Sequence, residues 1–192
     1  MSRPKNYQRQ DVIEKALGIF WRKGYAATSL NDLIEITGLN KRSIYNEFGS
    51  KDSLFIEVLR RYSELREPVI QILNQQPLGM DNIFQLLREM AAQIDDRGCI
   101  LVLSLNEREL LSDQALTYVL QSSLGLHDLV KLNIHAGKES LSLEAKTALV
   151  DLITAQSFAI VNMAKLGQPK NRIKLAVEAF IGLIESPNHA HS

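Results

Sequence analysis

The sequence is poor in the residues that carry covalent and metal chemistry: one cysteine, Cys99, and four histidines among 192 residues. A lone thiol excludes an intramolecular disulfide and a cysteine-based zinc site, and it suits a reducing compartment. His127 and His135 have no carboxylate or thiolate at ligand spacing, and His189 and His191 fall in the last residues of the chain, so no metal centre is expected. There is no G-x-S-x-G, no H-E-x-x-H, no phosphate loop and no glycine-rich strand-to-helix turn. Glu107, Glu109 and Asp113 diverge around a helix and read as a solvated face. The expectation is therefore no enzyme and no cofactor.

Long hydrophobic runs are missing too. The most apolar region, residues 148–166, is interrupted by Asp151, Gln156, Asn162 and Lys165 and reads as too polar to span a bilayer. Residues 1–10 are polar and basic, unlike a cleavable leader, so a cytoplasmic protein with no membrane partner is expected. No internal repeat, low-complexity tract or long linker is evident. Net charge is also lacking, with 22 Lys and Arg against 22 Asp and Glu. The balance is uneven along the chain: residues 1–66 hold 12 cations against 8 anions, and residues 67–192 hold 10 against 14. A basic head on an acidic body is the pattern of a chain whose N-terminal part meets a polyanion.

What remains is a chain with 45% apolar residues, enough to fill a core, and with helical periodicity from end to end. Ile13, Ala16, Leu17 and Phe20 mark the first helix, which ends at Gly24, with Tyr25 packing back as core and Trp21 covering the stripe. From Ser50, Phe55, Val58, Leu59, Tyr62, Leu65, Val69, Ile72 and Leu73 mark a long helix. Pro68 should kink it or end it just upstream, because proline lacks an amide hydrogen and crowds the carbonyl four residues back. Further helices follow at 80–94, 99–111, 113–135, 142–166 and 171–185. The expected fold is all-α, a three-helix head and a larger helical body, about nine helices in total. Residues 1–7 with Arg3 and Lys5 show no apolar periodicity and read as a mobile arm, a disordered terminus, with a minor-groove arm as the alternative.

The chain is organised around residues 28–51, T-S-L-N-D-L-I-E-I-T-G-L-N-K-R-S-I-Y-N-E-F-G-S-K. Ser29 and Asp32 have the spacing of a loose capping box, Leu30, Leu33 and Ile34 share a face, and Gly38 can take the positive φ that ends a helix. Asn40 can cap the next helix. Leu39 and Ile44 are spaced as a hydrophobic staple, which sets the turn angle. Ile44 and Phe48 then point inward while Arg42 and Asn46 point out, flanked by Lys41, Ser43 and Tyr45. Two cations in the first turn of a helix oppose its macrodipole, a placement that makes sense beside a polyanion. On physical grounds alone, nucleic-acid binding and a charged surface on an ordinary helix pair stand level.

Residues 11–55, with G-Y-A-A-T-S-L-N-D-L and G-L-N-K-R-S-I-Y-N-E-F-G-S-K-D-S-L-F, resemble the N-terminal domain of the TetR family of bacterial transcriptional regulators. The likeness runs ungapped through three helices and both turns and covers the first quarter to third of the chain. It implies a helix-turn-helix DNA-binding domain at 1–50, a link helix at 51–75, and an effector-binding and dimerisation domain at 51–192. On that basis Thr28, Ser29, Tyr45 and Lys51 are expected to hold phosphates of a double-stranded operator, and Lys41, Arg42, Ser43 and Asn46 to face base edges.

In the body, the helix at 171–185 shows an inner face of Ile173, Ala176, Val177, Phe180 and Ile184, and a second apolar face at Leu175 and Leu183. Two faces need two partners, and the simplest second partner for helices 142–166 and 171–185 is the same pair in another copy, a homodimer. The resemblance implies the same contact. It also implies a small-molecule effector, for which Cys99, Asn106, Tyr118, Gln121, Gln156 and Asn162 are candidates. With 4 of 12 aromatic residues beyond residue 66, a mainly aliphatic cavity is expected. Cys99 is open to two readings, a small buried thiol or a sensor of oxidants and electrophiles. The sum is a repressor released from a pseudo-palindromic operator; an effector-independent structural or adaptor protein on the same scaffold is the alternative.

Overall fold

The computed structural model describes residues 7–186, which form nine α-helices and two short 3-10 helices and, among the described residues, no strand. Among the described residues two compact units emerge: residues 7–66 with 99–123, and residues 67–98 with 124–186. The chain passes between them within α4, at Gly98 and within α7.

The first unit begins with α1 (Arg9–Lys23), α2 (Leu30–Thr37), α3 (Lys41–Phe48) and α4 (Lys51–Ile70, through Arg66 in this unit). It also contains α6 (Ile100–Asn106), a 3-10 turn (Arg108–Leu110) and the first half of α7 (Asp113–Gly137). One core joins them. Phe20, Leu33, Ile44, Leu54, Phe55 and Leu59 are fully buried and meet Ile100, Ala115 and Val119. Tyr25 packs on Phe20 and Phe55, and Trp21 meets Tyr62 edge to face at 4.9 Å.

The second unit holds the end of α4, a 3-10 turn (Gln71–Asn74), α5 (Met80–Gln93), the second half of α7, α8 (Leu143–Lys165) and α9 (Lys170–Glu185). Ser142 caps α8 by accepting from the amide of Ala145 at 3.2 Å. α9 packs on α5 and α8, and Arg88 makes a two-pronged ion pair with Glu178, both bonds at 2.8 Å. At the centre sits Asn133, fully buried. Its oxygen accepts from the amide of Gly79 and from Asn82, and its amide group donates to the carbonyls of Leu73 and Leu129. Asn82 in turn donates to the carbonyl of Gln75.

Several expectations need correction. Pro68 does not end α4 upstream, since the helix continues to Ile70 before tightening into the 3-10 turn. It stands in the last α-turn, where few further hydrogen bonds remain to be lost. The helix expected at 99–111 stops at Asn106 and resumes as a 3-10 turn. In α9 the buried stripe is Ile173, Val177 and Ile181; Ala176, Phe180 and Ile184 are only half-buried. Leu175 and Leu183 do stand out from it, 68% and 62% exposed. On length and mean hydropathy α8 qualifies as long and apolar enough to cross a membrane. Its exposed Asp151, Asn162 and Lys165 are what oppose insertion, because charged groups are costly in hydrocarbon.

Candidate nucleic-acid interface

The turn between α1 and α2 and the two helices after it are set by local chemistry. Gly24 ends α1 at φ 83°. Ser29 caps α2: its hydroxyl accepts from the amide of Asp32, and the Asp32 carboxylate accepts from the Ser29 amide at 2.7 Å. Lys23 closes the same corner, its ammonium 2.7 Å from Asp32. That ion pair, then the Ser29 hydrogen bonds, hold the Asp32 carboxyl well below the usual carboxylate range. Gly38 ends α2 in the left-handed region at φ 73°, and Asn40 caps α3 by accepting from the Ser43 amide at 2.9 Å. Leu39 and Ile44 are both buried, as the staple requires.

α3 therefore has an anchored side and a free side. Ile44 and Phe48 lie in the core, while Lys41, Arg42, Tyr45 and Asn46 are exposed and Ser43 is half-buried. The Lys41 ammonium lies 5.9 Å from the Tyr45 ring centre, so cation and ring occupy one flank. The far end of α3 is tied to the start of the head. Tyr7 donates to Glu47 at 2.9 Å, and Arg9 pairs with Glu47 and Glu57 and lies over the Phe48 ring. Arg3 and Lys5 lie outside the described residues.

The expected phosphate-holding residues are not equivalent. Thr28 is a correction: it is fully buried, and its hydroxyl donates to the carbonyl of Gly24 at 2.6 Å, so it shapes the turn and has no free face for a phosphate. Ser29 is exposed, with its hydroxyl engaged in the cap. Lys51 is half-buried, its ammonium 4.2 Å from the Tyr25 ring centre. Burial lowers its pKa, against the opposing pull of Glu107, Asp32 and Asp52. The Tyr25 hydroxyl is pushed up to about 12, first by burial and then by the Asp52 carboxylate beside it.

The second correction concerns Glu107. Far from a solvated face, its carboxylate accepts from the backbone amides of Tyr25 at 2.7 Å and Ala26 at 3.2 Å. Nothing local foretells this, since the partners lie 82 and 81 residues away. Gly24 was the one available signal, as a glycine needed for both its φ and its space.

Of the candidate effector residues, Cys99, Tyr118 and Gln156 are half-buried, and Asn106, Gln121 and Asn162 are exposed. Tyr118 donates to Ser63 at 3.0 Å. Tyr118 and Gln121 come together in an open cleft of about 390 Å³ in the first unit, with Ile56, Arg60, Asp113, Gln114 and Thr117. Most of the side chains that line it are polar.

The model of bacterial regulatory proteins of the tetR family matches residues 12–58. The HTH-type transcriptional repressor ComR of Escherichia coli is 48% identical over 60 residues, 31% of this chain and 29% of ComR, so the match spans less than a third of that repressor. An uncharacterized HTH-type transcriptional regulator of Bacillus subtilis, YezE, is 21% identical over 96% of this chain and its own full length. Among solved structures, a cysteine mutant of the TetR family regulator CifR, complexed with 26-bp double-strand operator DNA, superposes with a TM-score of 0.79. It is 27% identical, and the alignment covers 96% of this chain and 100% of that one. All three are named as transcriptional regulators. The head, its two turns and the helical fold around it agree with one another: residues 12–58 match the tetR-family model, and the described chain has the fold of TetR family regulators.

Proposed function

We propose that the chain is a DNA-binding transcriptional repressor that acts as a homodimer on a pseudo-palindromic operator and is released by a small-molecule effector. The observation that carries this is the division of α3, in which Ile44 and Phe48 anchor the helix while Arg42 and Asn46 stay exposed. Arginine can grip the O6 and N7 edge of guanine and asparagine the N6 and N7 edge of adenine, so this face can read sequence in a major groove. Lys41 and Ser43 join them at base edges; Tyr45, Ser29 and Lys51 hold phosphates. The relatives support the reading, since ComR is named a repressor and CifR is complexed with operator DNA.

The division of labour follows. Residues 1–50 read DNA and residues 51–192 receive the effector and pair the copies. The exposed Leu175 and Leu183 on α9, with Leu152 on α8 and Leu166 just past its end, supply apolar surface of the kind a second copy covers in a four-helix contact. Tyr118 and Gln121, which share a cleft, are the best placed of the effector candidates, ahead of Cys99, Asn106, Gln156 and Asn162. The protein works in the bacterial cytoplasm.

Selection of bound duplexes from a random pool tests the proposal. The expected product is a two-fold symmetric site whose half-sites lie about one helical turn apart, roughly 34 to 36 Å or a little more. A pool that never enriches, or enriches an asymmetric site, would defeat it.

A further inference from the structure

Outside the exposed face of α3, one carboxylate of the first unit reaches the backbone of the head from far along the chain. α6 ends at Asn106, and Glu107 follows with φ −105° and ψ 14°, which turns its side chain onto the bend between α1 and α2. That bend has amides in need of acceptors, because α1 ends at Lys23 and α2 starts at Leu30. Glu107 supplies both, one oxygen to Tyr25 and the other to Ala26, in charge-assisted hydrogen bonds. Glycine at 24 leaves the carboxylate in this place undisturbed: a Cβ there would sit 2.8 Å from one carboxylate oxygen and 3.0 Å from the other, so the carboxylate would have to shift. The positive φ of 83° is a second, independent requirement for glycine at the same place.

The bend so held is part of the reading surface. It leads directly into the α2 cap at Ser29, and the Gly24 carbonyl takes the buried Thr28 hydroxyl. The Tyr25 ring carries the Lys51 ammonium at the start of α4. An anion near Lys51 works against a polyanionic ligand, so electrostatic attraction to DNA does not explain why an acid stands here. Positioning does. We propose that Glu107 is a positioning residue for operator recognition, a clamp from the end of α6 that fixes the α1–α2 bend, so that breaking it separates specific from nonspecific DNA binding. The inference rests on the proposed DNA-binding function and adds to it the residue through which α6 acts on the reading head.

The geometry gives opposite signs for the two kinds of binding. Loss of the clamp should weaken binding to the selected operator, while loss of a negative charge should leave binding to random duplex unchanged or raise it. The test uses the full chain as wild type, E107Q and Gly24→Ala. Glutamine keeps the size but offers one acceptor and sets an NH2 group against a backbone N–H. Alanine presses on the carboxylate from the other side, a second variant that does not depend on removing Glu107. Hydrogen exchange at Tyr25 and Ala26 and affinity for operator and for random duplex are measured in parallel.

The expected result is faster exchange at those two amides in both variants and a fall of roughly tenfold in the operator-to-random affinity ratio, a typical coupling size. Faster exchange with an unchanged ratio would overturn the clamp while leaving the DNA-binding function standing, and so would unchanged exchange. A wild type that shows no preference for any duplex would instead overturn the function on which the clamp rests. Equal weakening on both duplexes would also overturn the clamp, since it would reduce Glu107 to a residue needed only for folding.

Discussion

The ammonium of Lys51 lies 4.2 Å from the centre of the Tyr25 ring, which joins the first turn of α4 to the bend between α1 and α2. The contact holds a cation at a helix N-terminus, where free amides already favour an anion. Lys51→Ala should weaken binding to operator and to random duplex alike and reduce the slope of log affinity against log salt by roughly 0.9, one phosphate contact. Anisotropy titrations at several salt concentrations read both quantities. A loss confined to the operator would show that Lys51 reads sequence instead.

Tyr25 predicts a pH dependence of stability. An unfolded tyrosine loses its proton near pH 10, whereas the folded hydroxyl is pushed up to about 12 by burial and by Asp52. Between those values the folded chain holds a proton that the unfolded chain has released, so this contribution is full below pH 10 and is lost as pH rises towards 12. Lys51, whose pKa is lowered by burial, acts in the opposite direction at lower pH, because raising pH relieves a poorly solvated charge. Y25F keeps the ring and removes the titrating proton. Urea midpoints measured from pH 9 to pH 12 should fall less steeply for Y25F than for wild type, and parallel curves would contradict the account.

Asn133 predicts a large effect far from DNA. Asn133→Leu removes four hydrogen bonds and strands the Gly79 amide and the Leu73 carbonyl in the second unit. Buried polar groups left without partners cost about 1–3 kcal/mol each, so a loss of about 2–4 kcal/mol in denaturant unfolding is expected. Burial of the added leucine offsets part of it. Stability equal to wild type would mean that the bend at 75–79 finds other partners.

The apolar side of α9 predicts an assembly. Leu175→Glu combined with Leu183→Glu places two charges on exposed positions, so the folded subunit should keep its helicity. In sedimentation equilibrium the wild type should be a dimer and the double variant a monomer with much weaker operator binding. A double variant that stays dimeric would move the contact elsewhere.

The caps and turns of the head are legible in the sequence. Ser29, Gly38, Asn40 and Ser142 act within three or four residues of themselves, and a cap or a left-handed turn is written in that span. The inward Ile44 and Phe48 follow from helical period in the same way. What stayed hidden depends on partners far along the chain: Glu107 faces amides more than eighty residues away, and Asn133 joins segments 51 to 60 residues apart. Thr28 was misread for a related reason, since a hydroxyl near a reading helix suggests a phosphate until the Gly24 carbonyl is seen to hold it. The open cleft was likewise invisible, because α4 and α7, separated by residues 67–98 of the second unit, supply its walls.

The central claim is that the outer side of α3 reads DNA, and the direct measurement is binding of the full chain to its selected operator and to a scrambled duplex, with and without Arg42→Ala and Asn46→Ala. Each substitution should cost about 1–3 kcal/mol of preference for the operator while leaving the scrambled duplex nearly as well bound. If the wild type ignores both duplexes at low salt, or if the double variant keeps the full preference, α3 is not the reading helix.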